Sequence, residues 1–162
     1  MRELAPLMLV ATAALACGGQ QRARGGGGAS GTFECFSRRA EYMVVGAFVA
    51  PEAGVSMLCD GDRPRLVVWR VDASGQRSEE SHELTEQQFE STWEQIDSTG
   101  WRYLDRTCDN PQALKGDPIY TIDLADDRTT ASLTCTGKEL PFPYDRLVNE
   151  LDLRAAGLGN GP

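Results

Sequence analysis

Apolar positions follow one period in the first half of the folded region and another in its two later amphipathic segments. From residue 33 to residue 82 they alternate or gather in short β-branched clusters, as strands do. Phe33–Ser37 reads as a short strand around Cys35. Met43–Ala50 carries Val44, Val45, Phe48 and Val49, and β-branched crowding favours a strand over a helix there. Pro51–Gly54 reads as a turn, after which Val55, Met57 and Cys59 alternate. Asp60–Pro64 interrupts the pattern. Leu66–Val71 is the clearest strand, with Val67, Trp69 and Val71 sharing one face. Asp72–Gly75 turns the chain back, and the polar Gln76–His82 suits an edge strand.

The period then lengthens. Thr85 and Gln88 form a capping box, Leu84 and Phe89 a hydrophobic staple, and Glu86 a favourable first-turn charge. Phe89, Trp93 and Ile96 make one helical stripe, which Gly100 ends. Trp101, Tyr103 and Leu104 follow, and Cys108–Pro111 opens a loop. Ile119–Leu124 and Thr129–Cys135 predict a hairpin around Ala125–Arg128, with Tyr120, Ile122 and Leu124 on one side of the first strand. Pro143 suits a helix first turn, and Tyr144, Leu147, Val148 and Leu151 form the next stripe, closed by Gly157. These elements predict an α+β fold: a mostly antiparallel sheet built from hairpins, packed against two amphipathic helices and stapled by two disulfides.

Residues 4–16 read LAPLMLVATAALA, thirteen positions without a charge. That is the length of a signal-peptide apolar region, and short of the roughly 20 residues a membrane span needs. Ala14-Leu15-Ala16 then meets Cys17-Gly18. The run resembles the lipobox of bacterial lipoproteins over residues 1–18, with Ala14 standing where that family usually has leucine. The resemblance implies a diacylglyceryl group on the Cys17 thiol and cleavage that leaves Cys17 as the first residue. Small-residue cleavage releasing a soluble secreted or periplasmic protein is the competing reading, and an uncleaved or cytosolic chain a third. The domain plan is then a signal peptide at 1–16, a lipid-anchored Gly-rich linker at 17–32, one α+β domain at 33–157 and a flexible tail at 158–162. Residues 18–32 hold seven glycines and no apolar side chain larger than alanine. Such a segment cannot build a core, and as a tether it reaches about 20–25 Å. Arg22 and Arg24 read as solubilising charges, or as contacts to anionic headgroups.

Charge narrows the partners. Arg2, Arg22, Arg24 and Glu3 are the charged residues among 1–32, so 13 basic and 23 acidic residues remain beyond them. A surface this acidic repels a polyanionic backbone, and no nucleic-acid partner is expected. Of the five cysteines, Cys35, Cys59, Cys108 and Cys135 lie in patterned sequence, and their spacings of 24, 49 and 27 lack the close pairs of a zinc site. Two disulfides consume them, Cys35–Cys59 and Cys108–Cys135 being the most local pairing. Each loop is worth about 3–4 kcal/mol by chain entropy. Cys17 is left over, exposed and reactive unless modified.

Candidate chemistry is sparse. His82 is the sole histidine and reads as solvated, with Ser78 and Ser81 too local to argue a triad. Asp60 with Asp62, and Asp126 with Asp127, read as turn aspartates rather than calcium ligands. Paired carboxylates of a glycosidase kind are uninformative with so many acids present. No phosphate loop, dinucleotide loop, zinc-protease or nucleophile-elbow motif occurs. Trp69, Trp93, Trp101 and Tyr103 sit in core-like patterns, whereas Phe142 and Tyr144 are the better surface candidates, although packing at a helix start is the favoured reading even for these two. No metal, cofactor or catalytic residue is expected.

The order helix, aromatic run, cysteine loop, cysteine-bearing hairpin and final helix, over residues 84–156, resembles small exported bacterial domains of uncharacterised function. It brings no functional residue with it. The expectation is a lipid-anchored envelope protein of the outer membrane, not an enzyme, that binds or supports an envelope protein partner. The alternatives are a small extracytoplasmic carboxylate-dependent hydrolase and a secreted inhibitor or ligand-binding module.

Overall fold

The computed structural model describes residues 33, 35, 37–46, 50–60 and 63–158. The signal-peptide, lipobox and linker expectations, and most of the tail, lie outside the described residues. The strands are β1 (Arg39–Val45), β2 (Glu52–Asp60), β3 (Arg63–Val71), β4 (Arg77–Glu83), β5 (Ile119–Ala125) and β6 (Thr130–Thr136). They form one sheet in the order β4-β3-β2-β1-β5-β6, and every neighbouring pair is antiparallel. The helices are α1 (Glu86–Ser98) and α2 (Tyr144–Leu158). They pack on each other, α1 also on β3 and α2 also on β2. This is the α+β fold that the periodicity predicts.

The register explains the core. Leu66, Met57, Ala40, Leu124 and Ala131 are direct cross-strand partners in one row, and all are buried on the helix side. Alternate residues point to the other face, where no described helix lies. Phe89, Trp93, Ile96, Leu147 and Leu151 close the core from above. Thr85 accepts from the Gln88 backbone, and Gln88 returns the bond to the Thr85 N–H at 2.8 Å, so the capping box forms. Gly100 adopts φ 69°, the left-handed conformation that ends α1. Between the helices, Arg154 donates to the buried Thr92 hydroxyl at 2.8 Å.

Both disulfides join neighbouring parts of this frame. Cys35 pairs with Cys59 and Cys108 with Cys135, at Cα separations of 5.6 and 5.1 Å.

Several boundaries differ from the sequence reading, each for a physical reason. β1 begins at Arg39 and ends at Val45, whereas the apolar count predicts Met43–Ala50. Arg39 and Glu41 belong to the strand because they take the solvated face. Gly46, at φ 82°, turns the chain, and its N–H donates to the Pro51 carbonyl at 2.9 Å. Residues 47–49 lie outside the described residues. The expected turn at Pro51–Gly54 is instead mostly strand, because Gly54 pairs with both Met43 and Trp69. Asp60–Pro64 does not interrupt the sheet either: Asp60 pairs with Arg63, and residues 61 and 62 lie outside the described residues. The expected strand at 33–37 is not found, since Ser37 adopts φ 56° and the described residues there carry no ladder. Gly157 does not close α2, which continues to Leu158.

Candidate functional site

The site builds around α2, whose Asp145, Val148, Asn149 and Asp152 recur at helical spacing. Beneath it, β5 contributes Tyr120 and β1 contributes Tyr42, with ring centroids 6.3 Å apart. The connection from β6 contributes Lys138, Glu139 and Leu140. Tyr120, this connection and the N-terminal half of α2 enclose a cleft of about 360 Å³. That lies in the range of small-ligand sites, which begin near about 300 Å³. Asp145 lines this cleft, but its Oδ1 is closed to solvent and accepts no hydrogen bond among the described residues.

A second groove, about 210 Å³, opens between the C-terminal half of α2 and the sheet. Ala53, Val55 and Val68 line it, with Arg70 and Asp152 among its polar groups. Tyr42 donates its hydroxyl hydrogen bond to Asp152 Oδ1. Asp152 is exposed as a residue, yet loss of water around its carboxyl raises it above the usual carboxylate range, against the opposing hydrogen bond from Tyr42. Burial also raises the Tyr42 phenol, with the bonded Asp152 acting in the same direction. Tyr120 is raised by burial and by the nearby Asp152 charge, so it stays a protonated donor. Together these groups form a donor and acceptor array on aromatic walls. Among the described residues, no three metal-ligating side chains cluster.

A third depression, about 200 Å³, lies on the uncovered sheet face. Glu41 and Asp123 stand directly opposite each other there, and Ser56 donates to Glu41 at 3.2 Å. Trp69 lies beside them, buried at 8% exposure, with the Arg77 guanidinium 4.3 Å from its ring centroid.

The structure sorts the other sequence candidates. Trp93 and Trp101 are core, and Trp101 donates to Asp97 Oδ1 at 2.9 Å. Trp69 is buried as well, on the sheet face away from the helices. Tyr103 is 91% exposed, because Trp101–Tyr103 forms a 3-10 turn and the alternation of a strand does not apply. Phe142 is exposed at 74%, so packing at the helix start is corrected for it and the surface alternative holds. Tyr144 is buried at 7% and donates to the Asp105 carbonyl at 2.9 Å: it begins α2 on the inward stripe, as the reading of packing at a helix start expects.

His82 is half-buried on β4, with Nε2 3.1 Å from Glu80 Oε1; Ser78 and Ser81 are exposed beside it. Asp126 accepts from the Arg128 and Thr129 backbones at 2.9 and 2.6 Å, as a turn aspartate does. Burial acts to raise it, but Arg102 and these backbone donors outweigh that and hold it below the usual carboxylate range. Asp127 is exposed beside Arg128. Asp62 and Cys17 lie outside the described residues, as do Arg22 and Arg24.

Sequence reasoning missed the Tyr42–Asp152 bond, the Glu41–Asp123 pair and the whole α2 cleft. Their members lie far apart in the chain, and only strand register and helix packing bring them together. The period-two pattern did carry Tyr120 and the helical stripe did carry Val148, but neither says which polar neighbours meet.

No family model matches the chain, and no curated protein matches it. The two disulfides belong to an oxidising, extracytoplasmic compartment. No helix among the described residues is long and apolar enough to cross a membrane.

Proposed function

We propose that this chain is a lipid-anchored bacterial envelope protein that presents its α+β domain for binding and has no catalytic role. The observation that carries the reading is the cysteine pairing. Cys35–Cys59 and Cys108–Cys135 account for four of the five cysteines, and the one left over is the Cys17 of Leu-Ala-Cys-Gly. A diacylglyceryl thioether gives that thiol a chemical role. The signal peptide is then removed, Cys17 becomes the first residue on the outer membrane, and residues 18–32 tether the domain. Binding takes its support from the clefts along α2 and from exposed Phe142 and Tyr103, aromatic side chains of the kind enriched at contact surfaces.

Intact mass spectrometry of membrane-extracted protein tests the anchor. The expected species begins at Cys17 and carries the lipid mass. An unmodified Cys17, or a retained Met1, refutes it. Cys17→Ser is expected to leave the domain folded and release it from the membrane fraction.

One observation favours a second reading, a carboxylate-dependent hydrolase. Glu41 and Asp123 face each other across β1 and β5, an arrangement that like-charge repulsion makes costly without a role. That reading requires turnover of an envelope polymer, abolished by Glu41→Gln or Asp123→Asn.

A further inference from the structure

We propose that the free edge of β4 receives an extended, basic strand from a protein partner, which adds antiparallel to the sheet. The inference deepens the binding role above by naming the kind of partner, and it does not rest on the lipid anchor.

The two edges of the sheet differ. At the β6 edge the chain plugs itself. Thr134 donates to the Arg106 carbonyl at 2.7 Å and accepts from the Cys108 N–H at 3.0 Å, and the Asn110 amide donates to the Thr136 carbonyl at 2.8 Å. β4 has no such cover among the described residues. The Leu84 N–H donates to the Pro64 carbonyl at 2.9 Å, and the Gln76 carbonyl accepts from the Asp72 N–H at 3.0 Å. By alternation the even-numbered residues of β4 turn their main chain toward β3. Arg77, Glu79, Ser81 and Glu83 therefore turn their N–H and C=O groups outward, where no described backbone group meets them. Most devices that blunt an edge are missing: β4 has no proline or lysine, its seven pairs with β3 run without a bulge, and it is as long as β1. Main-chain groups in this array select an extended peptide.

The remaining device is charge, and charge has a sign. Glu79, Glu80 and Glu83 lie along the strand with Arg77 and His82. Arg77 and His82 stand 3.5 and 3.1 Å from Glu79 and Glu80, but both glutamates stay exposed and open to a second cation. Arg65 and Arg70 lie on β3, one strand further from an incoming chain. A second copy would set three glutamates against three, on chains that each carry net charge −8. A lysine-rich strand meets opposite charge instead. In antiparallel register its positive residues belong opposite Glu83, Glu80 and Glu79, and a negative one opposite Arg77.

The test is an NMR titration of the full chain in nonionic detergent with the capped peptide Lys-Thr-Val-Lys-Lys-Thr-Glu, which pairs in that order from Glu83 back to Arg77. Amide shifts are expected to concentrate at Arg77–Glu83. N-methylation of the peptide's third and fifth residues, whose N–H groups face β4, is expected to abolish binding at unchanged charge. Replacing its lysines with glutamate is expected to do the same. Ser81→Pro removes one outward N–H without breaking the ladder to β3, and is expected to weaken binding by about tenfold or more. Glu79→Gln with Glu80→Gln changes only exposed side chains, and is expected to weaken binding by about tenfold at an unchanged thermal midpoint. No shifts at β4, equal binding of the N-methylated or glutamate peptide, or binding indifferent to both variants overturns the proposal. So do concentration-dependent shifts at β4 without peptide, which would give the edge to a second copy. A lipidated chain that ignores the peptide overturns the edge proposal alone. A chain that binds the peptide but carries no lipid overturns the anchor alone.

Discussion

The helix side and the open side of the sheet bury their large side chains by different means. On the helix side, Leu66, Met57 and Leu124 lose water because α1 and α2 cover them. On the open side no described helix covers Trp69, yet it is as buried as Tyr42. Its indole lies over Gly54, where a Cβ would come 2.7 Å from the ring and strike the Tyr42 carbonyl oxygen. Arg77, one strand further out, stacks on the indole. One face is sealed by a second layer. The other is sealed by a missing side chain and a neighbouring cation. The first mode tolerates repacking among apolar residues, whereas the second depends on one backbone position.

Breaking the layer should cost most. Phe89, on α1, is fully buried with its ring against Phe33 and Trp93, and Phe89→Ala is expected to destabilise by about 3–5 kcal/mol. Chemical denaturation reads this as a shift in midpoint at constant slope. A cost below about 1 kcal/mol would mean that the helices are not what holds this face.

Gly54→Ala probes the open face and is expected to cost about 1–3 kcal/mol by overpacking. The sharper form adds Trp69→Ala. Removing the indole relieves one clash but not that with the Tyr42 carbonyl, which is backbone. The double variant should therefore remain less stable than Trp69→Ala alone. Full rescue would show that the ring was the only obstacle.

Arg77→Ala removes the cation over Trp69, worth about 0.5–1 kcal/mol at a site this exposed. Near-UV circular dichroism and tryptophan fluorescence should report a wetter indole. An unchanged spectrum would assign the burial of Trp69 to Gly54 and its flanking residues alone.

The smallest expected effect is on pH dependence. The Asp152 carboxyl is raised in the folded state, so folded protein holds that proton to higher pH than unfolded protein. Its contribution is therefore most favourable in acid and is lost as pH rises through the folded value. Asp152→Asn keeps an acceptor for Tyr42 and has no proton to lose. Wild type and variant should match in acid, with the variant the more stable near neutrality by less than about 1 kcal/mol, since solvent screens this exposed residue. Thermal melts across pH check the sign, and a less stable variant at neutral pH would reverse it.

Local physics made much of this molecule legible in its sequence. The capping box at Thr85, the stripes of both helices, the β5–β6 hairpin, the polar edge strand and the local disulfide pairing all depend on residues close in the chain. Their periods and spacings carry the information directly. Strand limits on β1 and β2 were not legible, because the sequence does not say that one face stays uncovered. Without that, Arg39 and Glu41 look like loop and Gly54 looks like a turn. Tyr103 was misplaced for a similar reason: an aromatic side chain suits a core or a surface, and the 3-10 turn chose between them. The meeting of Tyr42 with Asp152, of Glu41 with Asp123, and of Tyr120 with Asp145 and Asn149 around one cleft belongs to register and helix docking. Those are long-range arrangements, set by which faces bury together.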